Sequence, residues 1–531
     1  MSDDITRNNV GLAILTTLKN YGIDAVFGIP GTHSVEFYRH FGPLGIHPVT
    51  TRHEQGAGYG ADGWSQLKGL PGVVITTSGP GLLNALSAAA TAYAESRPLI
   101  ILSPGAPTGT ELSDIGTLHE TKDPTGAVGA IVQRSTRVSS GKEAVDEIHA
   151  AFELFANGRP RPVHIEVPLD VLEGESDVDP KDCEARAAGA PQAAAPQAVT
   201  DAAAALTQAR RPVIIAGGGA TRAAAGVLAL AEKLQAPVVT TLNGKGVIPE
   251  THPLSLGANL RLQTARDVCN DADVLLLIGS KLGEAELWGG TIETPATCIR
   301  VDIVPGQMTT NITADIELVG NSAAVIPQLL DAVGEHHAEA IDLSDVKRRL
   351  FEEAREVSPE LARVNEIIAA ALPAGTVVAG DSSRVTYLGS TTFIEQGEPH
   401  RFLYTPCYAT LGYGLPAAIG AKVAAPDLPV VCVLGDGALM FAIQELMTAV
   451  EQQVDITIVC VDNGGYQEIR QNMLDVGIEP VGVDLVQPDW VQLARGFGLA
   501  SFEAGEIEKL PDALSDAMAV SGPSLVHLSL R

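Results

Sequence analysis

Short apolar runs alternate along the chain with longer stretches of helical periodicity. Each run is five or six residues long and rich in β-branched residues, as at 430–434 and 456–461. A run of this length is typical of a strand that is buried on both faces, and the helical stretches between the runs supply the covering layers. The alternation therefore predicts an α/β protein built from parallel sheets.

Two breaks in this pattern divide the chain. Residues 187–198 are rich in Pro and Ala, and residues 334–360 are polar and helix-prone. Both compositions are typical of connecting segments, so His336 and His337 in the second one are expected to be solvated. The sequence predicts three doubly wound parallel-sheet domains, at residues 1–185, 195–335 and 350–531.

The last domain carries candidate metal ligands at two strand ends. The turn Gly435-Asp436-Gly437 follows one apolar run, and Asn463 follows the next. Neighbouring strand ends in an α/β sheet face the same crevice, so the Asp436 carboxylate and the Asn463 amide oxygen are expected to converge. Oxygen ligands beside glycine-rich backbone suit a magnesium ion that holds a diphosphate.

The first domain carries two Pro-Gly turns, in the sequences VFGIPGTH (26–33) and TTSGPGLLNAL (76–86). Between them, Glu54 follows a predicted strand and precedes small residues that let helix and sheet backbones approach closely. Arg52 is the one nearby cation in the sequence. A buried carboxylate without a cation is suited to exchange a proton with a weakly basic ring nitrogen.

Composition makes several classes of partner poor candidates. The 531 residues have room for about three domains, and Lys plus Arg 35 against Asp plus Glu 64 gives a net charge of −29. Nucleic acid and anionic membranes are therefore not expected as partners. The sequence shows neither a signal-peptide pattern nor a transmembrane stretch, and its six cysteines lack metal-binding spacing. They are expected to be buried thiols of a cytoplasmic protein.

Together these motifs resemble the thiamine diphosphate-dependent family of 2-oxo acid decarboxylases and acetolactate synthases, over essentially the whole chain. The family signature is Gly-Asp-Gly followed by an Asn-rich turn, and here Asn463 lies 27 positions after Asp436. The resemblance implies a pyrimidine-binding, a central and a diphosphate-binding domain, with Mg²⁺ held by Asp436, Asn463 and the Gly465 carbonyl. It also implies a homodimer or a dimer of dimers whose sites lie at the subunit interface, where Glu54 of one subunit contacts the aminopyrimidine held by the other.

The resemblance assigns further cofactor contacts in the last domain. Leu411 matches the apolar side chain that bends the cofactor, and the Ala409 carbonyl matches the acceptor for the cofactor's amino group. Asp462 departs from the family, since most relatives have Asn there, and it is expected to add negative charge beside the metal. The full set of implied cofactor contacts is Glu54, Asp381, Ser382, Ala409, Leu411, Gly435, Asp436, Gly437, Ala438, Asn463, Gly465 and Tyr466.

Substrate contacts are expected on the loops that carry His33 and His119. Imidazole titrates in the range needed to give a proton to a reacting carbon, so both histidines are candidate proton donors. The adjacent histidine pair of pyruvate decarboxylases is missing, and Ile469 stands where those enzymes have a glutamate, so simple pyruvate decarboxylation is not expected. The expected substrate-side residues are Thr32, His33, Gly79, His119, Glu120, Glu468 and Ile469.

The expected reaction is the non-oxidative decarboxylation of a 2-oxo acid to an aldehyde and carbon dioxide. The loop sequences GIPGTHSVEFYRHF, LHETKD and NGGYQEIR are most similar to those of 5-guanidino-2-oxopentanoate (2-ketoarginine) decarboxylases. An acetolactate synthase-like carboligase is the alternative, because it would use the same cofactor residues. A guanidinium needs planar carboxylate partners, and the chain offers Glu120, Glu468, Glu284 and Glu286, with Trp288 beside the last two.

The central domain raises the question of a second cofactor. Gly217-Gly218-Gly219 follows a predicted strand and has the look of a dinucleotide-binding turn. A lone glycine run is weak evidence for such a site, and tight packing between helix and strand explains it better. Acetolactate synthases hold FAD in this domain, so the resemblance leaves room for FAD, and we expect none.

Overall fold

The computed structural model describes residues 8–294, 296–335 and 341–531, and the strands of this part of the chain form three sheets. The strands of the first sheet are β1 (Ala25–Gly28), β2 (His47–Thr50), β3 (Gly72–Ile75), β4 (Leu99–Gly105), β5 (Arg134–Arg137) and β6 (Val163–Pro168). They are parallel, in the order β2-β1-β3-β4-β6-β5. The helices around this sheet are α1 (Val10–Asn20), α2 (Val35–Tyr38), α3 (Phe41–Leu44), α4 (Glu54–Lys68), α5 (Pro80–Asn84), α6 (Leu86–Glu95), α7 (Pro124–Gly129), α8 (Gly141–Asn157) and α9 (Leu169–Glu173).

The second sheet is also parallel. Its strands are β7 (Pro212–Ala216), β8 (Val238–Thr240), β9 (Val274–Ile278), β10 (Thr297–Asp302) and β11 (Ile316–Val319). They lie in the order β11-β10-β9-β7-β8. The accompanying helices are α10 (Pro196–Gln208), α11 (Ala224–Leu234), α12 (Gln263–Asn270), α13 (Glu284–Leu287), α14 (Ser322–Ala332) and α15 (Ser344–Val357).

The third sheet repeats the strand order of the first. Its strands are β12 (Val377–Gly380), β13 (Phe402–Leu403), β14 (Val430–Gly435), β15 (Ile456–Asp462), β16 (Ala500–Glu503) and β17 (Ser524–Ser529). They are parallel, in the order β13-β12-β14-β15-β17-β16. The helices are α16 (Pro359–Ala371), α17 (Thr391–Phe393), α18 (Gly414–Ala424), α19 (Asp436–Phe441), α20 (Glu445–Glu451), α21 (Gln467–Asp475), α22 (Trp490–Phe497) and α23 (Leu510–Ala519).

Shorter helical turns complete the described structure. A π-helix at Val385–Ser390 follows β12, and such turns often lie at functional sites. The 3-10 turns are Thr32–Ser34, Pro180–Cys183, Gly218–Ala223, Leu242–Gly244, Pro305–Gln307 and Ile507–Lys509.

These sheets confirm the predicted fold class of three doubly wound parallel-sheet domains. Each of the ranges 1–185, 195–335 and 350–531 contains one sheet, and the domain ends within those ranges stay predictions. The predicted connector at 334–360 is largely the helix α15, which packs Leu350 and Ala354 into the apolar core beside the second sheet. His336 and His337 lie outside the described residues.

Helices α4 and α18 join the first and third domains through a contact between small residues. A Cβ on Gly420 of α18 would overlap the carbonyl oxygen of Gly60 in α4, and a Cβ on Gly63 would overlap the carbonyl oxygen of Ala417. Glycine is required at such positions because the two backbones touch directly. The residues of α18 from 414 to 421 are buried, so its hydrophobic sequence is enclosed by both domains.

A buried arginine ties all three domains together. Arg97, which follows α6, donates from Nη1 to Asp62 of α4 and, over 3.0 Å, to the Tyr413 hydroxyl of the third domain. Its Nη2 donates to the Asn243 side chain of the central domain over 3.0 Å and to the Tyr404 carbonyl oxygen. The guanidinium is therefore hydrogen-bonded on both sides, as a buried charge must be.

The structure tests two expectations that came from composition, one on the cysteines and one on membrane-spanning helices. All six cysteines are free thiols, and five of them are buried, but Cys407 is exposed, so the expectation of buried thiols is wrong for that residue. Cys407 lies in the loop before α18 and not in a strand, so it is not enclosed as a residue of a buried strand would be. Among the described residues, no helix has both the length and the apolar character needed to cross a membrane.

The glycine contact between α4 and α18 predicts a loss of stability in Gly420→Ala. The added methyl group must push the two backbones apart, and overpacking of this kind costs about 1–3 kcal/mol. Gly496→Ala in α22 is the matched control, because no atom lies within 4 Å of the added Cβ. Thermal unfolding followed by circular dichroism should show a lower midpoint for Gly420→Ala alone, and equal midpoints in the two variants would contradict the packing argument.

Candidate active site

The structure brings Asp436 and Asn463 side by side at one edge of the third sheet. Strands β14 and β15 are neighbours with Gly435 opposite Val461, so the residues that follow them emerge together. The backbone N–H of Asn463 donates to Asp436 Oδ1 over 3.4 Å. The Asn463 side-chain amide lies 3.1 Å from Asp436 Oδ1 and 3.1 Å from the Gly465 carbonyl oxygen. The three groups that the sequence proposed as metal ligands therefore meet at one point.

The geometry of these three groups fits a magnesium ion. If the amide nitrogen of Asn463 faces the other two groups it donates to both, whereas if its oxygen faces them, three oxygens converge and need a cation between them. The edge of a magnesium octahedron is roughly 3.0 Å when each oxygen lies about 2.1 Å from the ion, close to the 3.1 Å separations observed. Asp436 Oδ2 is buried without a hydrogen-bond partner. Burial, with a contribution from the Asp462 carboxylate, raises the pKa of Asp436 to about 6, as expected for a carboxylate that lacks a cation.

The Asp462 carboxylate is already engaged by basic side chains. Its Oδ2 lies 3.0 Å from Arg531 Nη2 and 3.3 Å from His527 Nε2. Its Oδ1 accepts from the backbone N–H of Gly464 over 2.9 Å, which holds the turn that carries Asn463. The expectation that Asp462 adds negative charge beside the metal is therefore corrected in part: its charge raises the pKa of Asp436, but the guanidinium of Arg531 offsets it.

Asp381 holds the loop that carries Ala409 and Leu411. Its carboxylate accepts from the backbone N–H groups of Gly412 and Gly414 over 3.0 and 2.7 Å. Burial raises the pKa of Asp381 to about 6, while those backbone donors act in the opposite direction. Ala409 has a left-handed backbone with φ of 52°, which turns this loop sharply. Asp381 thus fixes the position of Leu411, and a direct contact between Asp381 and a cofactor stays a prediction.

Backbone packing explains several small residues around the metal turn. A Cβ on Gly437 would lie 3.0 Å from the Tyr466 ring, so this glycine lets the ring cover the start of α19. The Gly435 N–H donates to Ser383 Oγ over 2.9 Å, an anchor that the sequence analysis missed while naming the adjacent Ser382. Ala438, the next residue of α19, is buried.

Glu54 begins α4 and is 7% exposed. Its Oε2 accepts from Asn84 Nδ2 over 2.9 Å, and Asn84 belongs to the helix α5 at the second Pro-Gly turn. Arg52 is not its partner, because the guanidinium pairs with Glu451 of α20. Glu54 therefore has a neutral hydrogen-bond donor beside it, which the sequence analysis had not identified although Asn84 lies within its quoted motif.

A second buried carboxylate secures the start of α4. Glu445 of α20 accepts from the backbone N–H of Arg52 over 3.2 Å and from the Thr448 hydroxyl over 2.6 Å. Burial raises the pKa of Glu445, and these hydrogen bonds act against that rise. A side chain at Gly56 would meet the Glu445 carboxylate at 2.5 Å. The third domain thus positions the helix end that carries Glu54.

The two candidate histidines lie together above the first sheet. Their rings are edge to face with centroids 5.3 Å apart, and His33 Nδ1 lies 2.6 Å from the Ser78 hydroxyl. Gly79 has φ of 61°, and a Cβ there would lie 2.6 Å from the His119 carbonyl oxygen, so this glycine lets the two loops touch. Burial, and next the His119 side chain, lower the pKa of His33, while Glu173 acts in the opposite direction. Thr32 lies exposed on the same 3-10 turn as His33.

Most of the glutamates proposed as guanidinium partners are already engaged. Glu120 accepts from the backbone N–H groups of its own loop, at Ile115 and Gly116, over 2.9 and 2.7 Å. Glu468 lies 3.6 Å from Arg384, and it is also hydrogen-bonded to Tyr387 of the π-helix. Both carboxylates thus have partners within this chain, and their role toward a substrate stays a prediction. Ile469, the next residue, is exposed.

The other two glutamates both lie in the short helix α13. Glu286 is buried and accepts from the Gly283 N–H over 3.0 Å, and burial raises its pKa. Glu284 is exposed. Trp288 is 46% exposed, with the Arg261 guanidinium 5.7 Å from its ring centroid. Glu284 thus differs from Glu286 in being accessible to solvent.

A cavity of about 1140 Å³ lies where the three domains meet. Its walls include Glu284, Glu286 and Glu468 together with Arg97, Arg159, Arg222 and Lys281, so both signs of charge face it. Gly218 and Gly219 also line the cavity. Packing accounts for the glycine run, because a Cβ on Gly217 would lie 2.5 Å from the Gly279 carbonyl oxygen and one on Gly219 would lie 2.8 Å from Gly279 Cα.

Comparison with known families matches all three domains. Residues 8–126 match the N-terminal TPP binding domain of thiamine pyrophosphate enzymes, residues 199–329 match their central domain, and residues 386–528 match their C-terminal TPP binding domain. The chain belongs to the thiamine pyrophosphate (thiamine diphosphate) enzyme family. The three sheets correspond to these three domains in the same order.

Individual relatives within this family carry different activities in their names. The chain is 36% identical to a probable 2-ketoarginine decarboxylase of Pseudomonas aeruginosa, across 98% of this chain and 93% of that protein. It is 31% identical to a probable acetolactate synthase large subunit of Methanocaldococcus jannaschii, across 97% and 91%. It is also 30% identical to the large subunit of acetolactate synthase isozyme 1 of Escherichia coli, across 97% and 93%.

The packing of the glycine run predicts that the purified protein contains no flavin. Because contacts with Gly279 account for Gly217 and Gly219, these glycines require no dinucleotide. The absorption spectrum of the native protein, and of the supernatant after heat denaturation, should lack the near-ultraviolet and blue bands of FAD. A stoichiometric flavin spectrum would overturn this expectation and assign the cavity to that cofactor.

Proposed function

We propose that the protein is a thiamine diphosphate- and Mg²⁺-dependent decarboxylase that converts a 2-oxo acid to an aldehyde and carbon dioxide. The observation that carries the proposal is the contact between His33 and His119, because an aldehyde forms only if the reacting carbon receives a proton. A carboligase must keep proton donors away from that carbon. The similarity to a probable 2-ketoarginine decarboxylase supports the same choice.

The third domain would hold the cofactor's diphosphate through magnesium. Asp436, Asn463 and the Gly465 carbonyl would supply protein oxygens to the ion, and the spacing of 3.1 Å supports this role. Leu411, on the loop that Asp381 fixes, would pack against the cofactor rings, and Ala409 would accept a hydrogen bond with its carbonyl. When bound, thiamine diphosphate supplies a carbon nucleophile and an electron sink that allow the bond to the carboxylate carbon to break.

Glu54 would hold and return a proton at a pyrimidine nitrogen of the cofactor. It is buried, and its near neighbour Asn84 is neutral, so a charged partner does not compete for the carboxylate. Asn84 would keep the carboxylate oriented by donating to Oε2. Glu445 and the α4–α18 contact would hold the helix start in place.

The active site would be completed by a second subunit. Several of the segments that carry proposed site residues also expose an apolar side chain. These exposed side chains are Val35, Leu83, Leu118, Met440, Phe441 and Ile469, and each is 43% exposed or more. Exposed apolar groups around a polar site are typical of a surface that a partner covers, so a homodimer with shared sites, or a dimer of dimers, is the proposed assembly.

The substrate would be a 2-oxo acid with a long or cationic side chain. Glu284 and Trp288 offer a carboxylate and an aromatic face at the cavity where the three domains meet, and both groups suit a guanidinium. Purified protein with thiamine diphosphate and Mg²⁺ should be incubated with pyruvate, branched 2-oxo acids and 5-guanidino-2-oxopentanoate, and products identified by mass. The proposal requires aldehyde as the main product, whereas acetolactate from pyruvate at the highest rate would favour the carboligase alternative.

Loss of a histidine should separate carbon dioxide release from aldehyde release. In His119→Gln and His33→Ala, aldehyde formation should fall by about 10² or more, because proton transfer by a positioned side chain typically contributes that much. Carbon dioxide release should fall less, and ligation should rise when an acceptor aldehyde is supplied. His47→Gln is the control, since His47 is exposed and bonds Gln452. Equal loss of both products would rule out the proton-donor role.

Shared sites predict that two inactive variants restore activity when mixed. Asp436→Ala should lose Mg²⁺-dependent cofactor binding by calorimetry, and Glu54→Gln should bind cofactor but turn over slowly. In an equal, fully exchanged mixture, half of the dimers are heterodimers with one intact site each, so activity should return to about one quarter of the wild type. Differently tagged Glu54→Gln chains mixed together should stay inactive. If each site lies within one chain, the first mixture also stays inactive.

A further inference from the structure

Ser78 stands between the two candidate proton donors. It follows β3, while His33 follows β1 and His119 lies in the loop after β4, so all three residues come from the carboxyl ends of neighbouring strands. The Ser78 hydroxyl is 2.6 Å from His33 Nδ1 and 3.5 Å from His119 Nδ1. Both imidazoles therefore direct the same ring nitrogen at one hydroxyl group, which the sequence analysis had not singled out.

A single hydroxyl has one proton to give and two lone pairs that accept, so it can donate to only one of the two rings, and at least one Nδ1 must carry its own proton. Burial and the neighbouring His119 favour the neutral form of His33, and a neutral imidazole accepts at Nδ1 when its own proton is on Nε2. The short contact of 2.6 Å is typical of a strong bond from a hydroxyl group, so the Ser78 proton belongs to His33. The Ser78 oxygen is then left to accept from Nδ1–H of His119.

We propose that Ser78 is a positioning residue that fixes His119 in the Nδ1–H tautomer, so that Nε2 of His119 is the nitrogen that takes up and releases the transferable proton. The inference rests on the proposed decarboxylase function, in which that proton goes to the product carbon. His119 is half-buried, and in this proposal its Nε2 regains a proton after each turnover. His33 keeps Nε2–H and would serve as a hydrogen-bond donor to the substrate.

The loop contacts keep this arrangement in place. The backbone of His119 is left-handed, with φ of 62°, and its carbonyl oxygen packs against Gly79. The charged groups near the pair are Glu173 beside His33, and Glu120 and Lys122 in the His119 loop. Glu120 is directed into its own loop by Ile115 and Gly116, which leaves Ser78 as the group that bonds both rings.

The direct test is the tautomer of each histidine in the full-length protein. Labelling with ¹⁵N,¹³C-histidine and assignment through His33→Gln and His119→Gln would give the ring nitrogen shifts at a pH where both rings are neutral. We expect Nε2–H for His33 and Nδ1–H for His119. In Ser78→Ala, His119 should shift toward the Nε2–H form that free imidazole side chains prefer, and Ser78→Thr, which keeps the hydroxyl, should retain the wild-type pattern. Nε2–H at His119 in the wild type, or an unchanged tautomer in Ser78→Ala, would overturn the proposal.

A kinetic readout separates positioning from packing. Ser78→Ala should lower kcat for aldehyde release at least about tenfold with little change in KM, since one component of acid catalysis is misoriented, and Ser78→Thr should recover most of it. An unchanged kcat would overturn the catalytic part of the inference. The tautomer measurement needs no substrate, so a protein that proves to be a carboligase fails the proposed function without deciding the state of the two rings.

Discussion

The direct backbone contact between α4 and α18 is the constraint on which the rest of the molecule depends. Glycines at positions 63 and 420 bring the two helices closer than any side chain would allow. Because α4 begins at Glu54 and α18 leads into β14, this contact fixes one candidate catalytic group relative to the sheet that carries the metal turn. Such contacts between small residues leave no space for adjustment, because tightly packed interiors are hard to compress and transmit displacements.

Electrostatics strengthens the same junction. Arg97 lies buried between Asp62 and groups from the two other domains. A buried ion pair contributes little net stability, but the loss of one partner leaves an unpaired charge and is costly. The metal turn shows the opposite situation, a buried carboxylate without a cation. Asp436 has a raised pKa and an oxygen without a hydrogen-bond partner, and a cation would stabilise this carboxylate. The buried cation Arg97 thus serves the junction between the domains, while the buried carboxylate Asp436 has no cation beside it.

The parts of the fold that follow from local sequence could be predicted, and the parts that depend on distant partners could not. The strand, Gly-Asp-Gly turn and helix around Asp436 are encoded within a few residues, and so is the meeting of Asp436 with Asn463, because neighbouring strands end at one edge. By contrast, Glu468 and Arg384 lie on separate elements, and sequence alone gave no sign that they pair. The same holds for Arg531, which follows β17 and pairs with Asp462 at the end of the neighbouring strand β15.

The same distinction between local sequence and distant partners applies to the candidate site. His33 and His119 were found because each lies in a recognisable loop, but the Ser78 hydroxyl that links them is a side-chain contact without a periodic signal. Glu54 was identified from its position, whereas its donor Asn84 was visible only as one letter of a longer motif. Glu120 accepts hydrogen bonds from the backbone of its own loop, and these depend on the conformation of that loop, which composition does not encode.

The long separation between α4 and α18 has a consequence for biosynthesis. Helix α18 begins 360 residues after α4 starts, since 414 − 54 = 360, and ribosomes add roughly 5–20 residues per second. The first domain therefore leaves the ribosome on the order of tens of seconds before the helix that covers its glycine face exists. During this interval the glycine face of α4 is not yet covered by α18. The nascent chain therefore most needs chaperone protection after its first sheet is complete and before its third sheet is synthesised.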